Sequence, residues 1–175
     1  MIESLPQLAR ESLATYLQTQ RLLQLSPSDC SPALMAFFEI SAGAFVTLKK
    51  DGHLRGCIGT ITPTQPHLIQ EIIANACAAG TRDPRFPSVS PEELTRLNYS
   101  VSVMHPPEPI DDVNQLDPQR YGVIVKSGQR QGLLLPQLEG ITHVEQQIFH
   151  ARQKAGILPH EPLQLSRFQV DFYEK

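Results

Sequence analysis

Apolar residues recur every three or four positions in three long segments, a spacing that places them on one face of an α-helix. Ser4 precedes the first segment as a candidate N-cap, and Pro6 suits its first turn. Gly80 and Gly156 follow the second and third segments, where glycine commonly ends a helix. The predicted long helices cover residues 5–25, 68–79 and 142–154, and a shorter helix is expected from residue 91.

Strand-like runs lie between these helices, and some of them are joined by tight turns. Asp-Gly at positions 51–52 and Ser-Gly at 127–128 favour hairpins, because such turns need residues that tolerate positive φ. A run at 99–103 alternates apolar residues with serines, which predicts a half-buried strand. The predicted strands cover residues 43–50, 53–61, 99–103, 122–126, 131–135 and a closing run at 168–172.

Hairpins and helices without a βαβ rhythm predict an α+β fold, with antiparallel sheets built from hairpins and flanked by helices. The 175 residues suit one domain that buries its own core, so we expect a single domain over residues 1–175. The chain has 15 prolines, and a proline-rich stretch at 104–117 is the expected division between two lobes packed as one compact unit.

The composition excludes several classes of partner. A formal charge of −3 argues against nucleic-acid and anionic-membrane binding, which need a cationic surface. The three cysteines form no CxxC pair, and we read no signal peptide or membrane span, so a cytoplasmic protein without disulfides is expected. The six histidines are scattered, and therefore neither a metal nor a cofactor is predicted.

The first candidate for chemistry is Cys57 on the second strand of the Asp-Gly hairpin. Side chains alternate along a strand, so Arg55 and Cys57 share a face about 7 Å apart. A guanidinium beside a thiol favours the nucleophilic thiolate. Gly56 and Gly59 bracket the cysteine, and glycine in a strand often marks a place where ligand or backbone approaches closely.

A structural interpretation of the same residues stays open. Across a two-residue turn Cys57 would lie opposite Val46 and Arg55 opposite Leu48, which are neighbours typical of a core. Free cysteine is among the most buried residue types. Cys57 is therefore either a reactive thiol in an open groove or a packing residue.

The second candidate is the segment that follows the predicted helix at 68–79. Arg82 and Arg85 lie on a proline-stiffened loop and are suited to bind a carboxylate or phosphate. Asp83 lies between them, where it would pin the arginines or act as a general base. The alternative is a loop held by ion pairs, with Phe86 packed beneath it.

The sequence LRGCIG at residues 54–59 resembles the signature of the AMMECR domain family. The match continues in order over about residues 5–174, with similar segments at 43–48, 82–87, 100–103, 107–110 and 134–137. The resemblance implies an α+β fold with two lobes. The chain is also similar to protein A of the AmmeMemoRadiSam system. One departure is that the segment at 138–143 is shorter than in many members and that the chain has no tryptophan.

The resemblance also implies partners, a Memo-like protein and a radical S-adenosylmethionine enzyme, but no established reaction. Carried over to this chain, the signature gives Arg55, Gly56, Cys57 and Gly59 as site residues. Two functions stay open. One is an enzyme or enzyme subunit that uses a Cys57/Arg55 groove on a small anionic substrate. The other is a non-catalytic module that binds a protein or small ligand in the same groove.

Overall fold

The computed structural model describes residues 1–175 and confirms the predicted α+β class, with two four-stranded antiparallel sheets. The chain divides into two compact units. The first contains Met1–Met104 and Asp171–Lys175, and the second contains His105–Val170. The division falls at the start of the proline-rich stretch, while the assignment of both units to one domain stays a prediction.

The elements follow one another in an order close to the predicted one. The α-helices are α1 Leu5–Thr19, α2 Pro32–Met35, α3 Leu68–Thr81 and α4 Val144–Ala155. The strands are β1 Ala44–Lys50, β2 His53–Gly59, β3 Leu97–Met104, β4 Glu108–Ile110, β5 Gly122–Ser127, β6 Arg130–Leu134, β7 Gln164–Phe168 and β8 Val170–Glu174. Short 3-10 helices cover Pro27–Asp29, Ala36–Phe38, Pro91–Arg96 and Val113–Gln115.

In the first unit, α1 and α3 pack against one face of a sheet with the strand order β2-β1-β3-β8. The core between helices and sheet consists of fully buried aliphatic side chains, because the alternation of β1 directs every second residue to the helices. Gly80 makes the helix packing close, since a Cβ there would lie 2.4 Å from a methyl group of Leu13. The largest buried members include Leu5, Leu8, Leu13, Val46, Leu48, Ile72 and Val101.

In the second unit, α4 packs against a sheet with the strand order β4-β7-β5-β6. Gly132 of β6 allows a close approach, because a Cβ there would lie 2.4 Å from the Ala151 carbonyl oxygen of α4. The core of this unit is a separate cluster that includes Val123, Val125 and Ala151. No helix of the chain is both long enough and apolar enough to cross a membrane.

The β1–β2 hairpin has the predicted two-residue turn, with positive φ at Asp51 and Gly52, but not the predicted register. The register shifts beside Leu48, so that Arg55 is an extra residue in a β-bulge. The prediction that Cys57 lies opposite Val46 and Arg55 opposite Leu48 is therefore wrong. Cys57 lies opposite Thr47, and Gly56 takes the place opposite Leu48.

Three further expectations about the elements are wrong. Helix α1 ends at Thr19, because Gln20 adopts the left-handed conformation with φ 58°. Gly80 lies inside α3 rather than after it. The closing run at 168–172 is two strands in different sheets, β7 and β8, since the chain passes from the second unit back to the first.

Strand β3 differs from its prediction in burial rather than in position. The alternating serines predicted a strand with one face open to solvent. Ser100 and Ser102 are nevertheless buried, as are the apolar residues between them. Most side chains on both faces of β3 therefore retain only a small exposed surface.

We predict that Gly56→Ala destabilises the first unit by about 2–3 kcal/mol, because its Cβ would overlap a backbone atom that cannot move alone. That Cβ would lie 2.2 Å from the Ala79 carbonyl oxygen. The matched control is Gly52→Ala in the same hairpin, which has free space but positive φ, and costs about 1 kcal/mol. Urea unfolding followed by circular dichroism measures both, and a Gly56 variant no less stable than the Gly52 variant contradicts the prediction.

Candidate functional site

Cys57 lies on β2, the strand at the edge of the first sheet, and is half-buried. Its backbone N–H points away from β1 and donates to Oδ2 of Asp83 at 3.0 Å. Cys57 and Thr47 consequently form a pair without backbone hydrogen bonds, the arrangement in which facing side chains are closest. The Cys57 Sγ lies 3.2 Å from Oγ1 of Thr47, within hydrogen-bond distance.

Asp83 fixes the loop after α3 to the edge of the sheet. Its side chain is buried, and it accepts from the backbone N–H of Cys57 and from three nitrogens of Arg85 at 2.8–3.1 Å. The hydrogen bonds from the Arg85 side chain, followed by those from backbone N–H groups, hold the pKa of Asp83 well below its usual range despite its burial. Of the two predicted roles, the structure gives Asp83 that of pinning an arginine, and the arginine is Arg85 rather than Arg82.

Arg85 is the arginine that shares a hydrogen-bond acceptor with the backbone of Cys57, because its Nη2 and the Cys57 N–H both donate to Oδ2 of Asp83. Hydrogen bonding to Asp83 is the main cause that raises the pKa of Arg85. The Arg85 guanidinium lies 5.4 Å from the Phe86 ring centroid and is 53% exposed. Its Nε and Nη2 contact Asp83, which leaves Nη1 for another acceptor.

Arg82 occupies the C-cap of α3 and is exposed. Its guanidinium makes no hydrogen bond or ion pair within the chain. Arg82 and Arg85 thus present uncommitted guanidinium donors on the loop that Asp83 attaches to Cys57. Arginine donors in this arrangement suit a carboxylate or phosphate, as the sequence predicted for the pair.

Arg55 has different partners from those that the sequence suggested. Its Nε and Nη2 donate to the two carboxylate oxygens of Glu93 at 3.0 Å each, and Nη1 donates to the Pro87 carbonyl oxygen at 2.9 Å. Lys50 also donates to Glu93, at 2.8 Å. Hydrogen bonds from Arg55 first and Lys50 second hold the pKa of Glu93 well below its usual range. Arg55 therefore fastens the loop to the hairpin.

The two signature glycines are positions of close packing. At Gly56, α3 approaches so closely that a Cβ would lie 2.2 Å from the Ala79 carbonyl oxygen. At Gly59, a Cβ would lie 2.3 Å from the Phe45 ring and 2.7 Å from the Ala44 carbonyl oxygen. Of the two readings that glycine in a strand allows, close approach by the chain's own atoms is the one observed at both positions.

The other two cysteines are buried and differ from Cys57 in their surroundings. Burial raises the pKa of Cys77 to about 11, and it also raises the pKa of Cys30. Cys77 lies on α3 and is fully buried. Cys57 is thus the cysteine that remains partly accessible in the folded chain.

Three residues with contacts around β2 escaped the sequence analysis. Thr47 became a neighbour of Cys57 only because the bulge set the register, which no local pattern indicates. Glu93 carried a weak signal, since it stands three residues after Ser90 in a capping arrangement and accepts from its N–H at 2.9 Å. The third residue is Glu71, which is fully buried on α3.

Glu71 holds the chain that leaves β2 near the site. Its carboxylate accepts from the hydroxyls of Thr60 and Thr64 and from the backbone N–H groups of Thr64 and Gln65, at 2.7–2.8 Å. The segment after Gly59 is thereby tied to α3 by neutral donors alone.

We predict that Asp83→Asn lowers the free energy of unfolding at pH 7 by about 1–3 kcal/mol, because charge-assisted bonds to Arg85 are lost. The lowered pKa of Asp83 means that its stabilisation is fully present above the unfolded-chain value of about 4. As the pH falls below that value the stabilisation declines, so the difference between wild type and variant shrinks. Urea unfolding at pH 7, 5 and 3 measures this difference.

The control for that prediction is Asp51→Asn at the hairpin turn, where the carboxylate pairs with Arg96 on the surface. An exposed pair contributes little to stability, so this variant follows the wild type at every pH. An Asp83→Asn variant whose deficit stays constant between pH 7 and pH 3 contradicts the assignment of its effect to the ionised carboxylate.

Comparison with known proteins gives consistent matches over nearly the whole chain. The family model described as AMMECR1 matches residues 6–174. A protein of Thermotoga maritima is 53% identical over 139 residues, which cover 78% of this chain and 80% of that protein. A protein of Clostridium acetobutylicum is 45% identical over 163 residues, which cover 93% of this chain and 34% of that protein.

The crystal structure of an uncharacterized protein from Pyrococcus horikoshii has the same fold. The TM-score is 0.86 at 32% sequence identity, and the match covers 98% of this chain and 89% of that one. The family model and the relatives agree with the resemblance that the motif pattern indicated. The chain therefore belongs to the AMMECR1 family.

Proposed function

We propose that the first unit binds a small anionic substrate beside β2 and that Cys57 acts on it as a nucleophile. The observation that carries the proposal is the position of the Cys57 thiol. Cys57 is half-buried, its thiol lies within hydrogen-bond distance of the Thr47 hydroxyl, and its backbone N–H shares Oδ2 of Asp83 with the Arg85 guanidinium. The exposed Arg82 adds a second cation on the same loop.

The charges around this thiol favour an anion. Asp83 and Arg85 neutralise each other, whereas Lys50, Arg55 and Glu93 together keep one positive charge. Arg82 adds another, so the region is cationic although the whole chain carries −3. A local positive potential attracts anionic ligands.

The other predicted site residues have supporting roles in this proposal. Asp83 and Arg55 are positioning residues, because each holds the arginine-bearing loop against β2 through hydrogen bonds. Gly56 and Gly59 allow the close packing on which that placement depends. Catalytic contact with the substrate is assigned to Cys57, and anion binding to Arg82 and Arg85.

A non-catalytic binding module is the second candidate, favoured by the full use of Asp83 and Arg55 in internal hydrogen bonds. In that case Arg82 and Arg85 bind the anion or an acidic partner, and Cys57 only packs against it. The family resemblance suggests the partners in either case, a Memo-like protein and a radical S-adenosylmethionine enzyme, as in the AmmeMemoRadiSam system.

We predict that Cys57 reacts preferentially with an anionic electrophile. In alkylation by iodoacetate, the sulfur–carbon bond forms as the carbon–iodine bond breaks and iodide leaves, and the thiol proton passes to solvent. The ratio of the iodoacetate rate to the iodoacetamide rate at Cys57 should fall about three- to fivefold in Arg82→Ala, because one exposed charge contributes about 1 kcal/mol or less. Peptide mass spectrometry resolves Cys57 from the buried Cys30 and Cys77.

The matched control is Arg21→Ala, which removes another exposed arginine of the first unit and leaves the ratio unchanged. Absence of Cys57 labelling in the folded protein contradicts nucleophilic function and favours the binding module. An unchanged ratio in Arg82→Ala contradicts the role of Arg82 in anion binding.

We also predict that Thr47→Val slows alkylation of Cys57 by iodoacetamide several-fold at pH 7, because the variant loses one hydrogen bond to the reacting sulfur. The hydroxyl is the only hydrogen-bonding group in that side chain, and valine keeps its shape. Thr47→Ser retains the hydroxyl and should restore the rate, which separates hydrogen bonding from packing. Equal rates in wild type and Thr47→Val would sink the role assigned to this hydroxyl.

A further inference from the structure

The two faces of the first sheet differ, and the face away from the helices carries a row of small polar side chains. The helix-covered face is apolar, whereas the strand register places Cys57, Thr47 and Ser100 opposite one another on the other face. Directly opposed residues on neighbouring antiparallel strands point to the same side. The three side chains therefore form one line from the edge strand β2 across β1 to β3.

Ser100 is an unusual member of this row. It is only 8% exposed, yet its hydroxyl makes no hydrogen bond within the chain. Ser102, two residues further along the same face, is 4% exposed and likewise has no hydrogen-bond partner. Neither serine oxygen is among the fully buried polar atoms that lack a partner, so the Ser100 hydroxyl keeps a small contact with solvent and is free to bond a ligand.

The geometry of the row gives the distance from Ser100 to the thiol. Thr47 and Cys57 form the closer type of antiparallel pair, because the Cys57 N–H points outwards to Asp83. Thr47 and Ser100 then form the hydrogen-bonded type. The spacings of the two pair types place Ser100 about 10 Å from Cys57. The arginine-bearing loop lies beyond β2, on the opposite side of Cys57 from Ser100.

We propose that Ser100 is a ligand-binding residue of the Cys57 site and donates or accepts a hydrogen bond to the bound substrate. This inference rests on the proposed function and specifies its substrate class. The substrate is a small polar acid whose anionic group faces Arg82 and Arg85 and whose electrophilic atom meets Cys57. A hydroxyl or carbonyl oxygen on its far side reaches Ser100, about two strand spacings away.

The test uses two alkylating probes that differ in one atom, N-(3-hydroxypropyl)iodoacetamide and N-butyliodoacetamide. With the sulfur bonded to the probe carbon, the extended hydroxypropyl arm brings its oxygen within hydrogen-bond distance of a group about 10 Å away. In the wild type, the hydroxylated probe should alkylate Cys57 about fivefold faster than the butyl probe, as expected for one net hydrogen bond. In Ser100→Ala this ratio should fall to about one, while the rate with the butyl probe stays within about twofold of wild type.

Ser102→Ala is the matched control, because it removes an equally buried hydroxyl from the same strand and face but from the next row. It should keep the wild-type ratio. If the two probes alkylate Cys57 of the wild-type protein at the same rate, the assignment of Ser100 is overturned before any variant is measured. The same conclusion follows if Ser100→Ala keeps the ratio or if Ser102→Ala loses it equally.

Failure of the proposed function gives a different result. If neither probe labels Cys57 in the folded protein, the nucleophilic site and the Ser100 inference are both overturned. If both probes label Cys57 at the same rate, the nucleophile stands and only the Ser100 inference is overturned. Circular dichroism of each variant confirms that the comparison is made on folded protein.

Discussion

The hydrogen bond from the Cys57 N–H to Asp83 is the interaction on which the candidate site depends. An edge strand has unpaired backbone groups, and Asp83 satisfies one of them with a buried carboxylate that Arg85 keeps charged. The same carboxylate therefore closes part of the sheet edge and attaches Arg85 to the backbone of Cys57. Removal of the Asp83 charge disturbs the closure of the sheet edge and the attachment of Arg85 at once, since the loop has no other hydrogen bond to the Cys57 backbone.

Arg55 and Glu93 make the second attachment of this loop, and their arrangement explains why the signature contains an arginine. The bidentate pair joins the hairpin to the start of a 3-10 helix, and the third guanidinium contact takes the Pro87 carbonyl. Rigid positioning of this kind keeps a binding loop in one geometry at low entropic cost. The loop thus presents Arg82 and Arg85 from a fixed frame, although its tip is exposed.

Local patterns predicted the three long helices, both hairpins and the antiparallel α+β class, because apolar periodicity and turn residues act over a few positions. They did not predict the bulge at Arg55, which moved Cys57 from a place opposite Val46 to one opposite Thr47. Nor did they indicate that Asp83 pairs with Arg85 while Arg55 pairs with Glu93. These features arise from contacts between distant segments, as does the burial of Ser100, and a single sequence carries little trace of them.

The path of the chain has a consequence for its synthesis. Residues of the second unit are inserted between β3 and β8 of the first, and their two ends are joined by a hydrogen bond from the His105 N–H to the Gln169 carbonyl at 2.9 Å. A chain made from its N-terminus must therefore complete the whole insertion before the first sheet receives its last strand. Until then β3 is an open edge. The nascent protein is therefore exposed to pairing of β3 with a wrong strand during the whole time between the synthesis of β3 and that of β8.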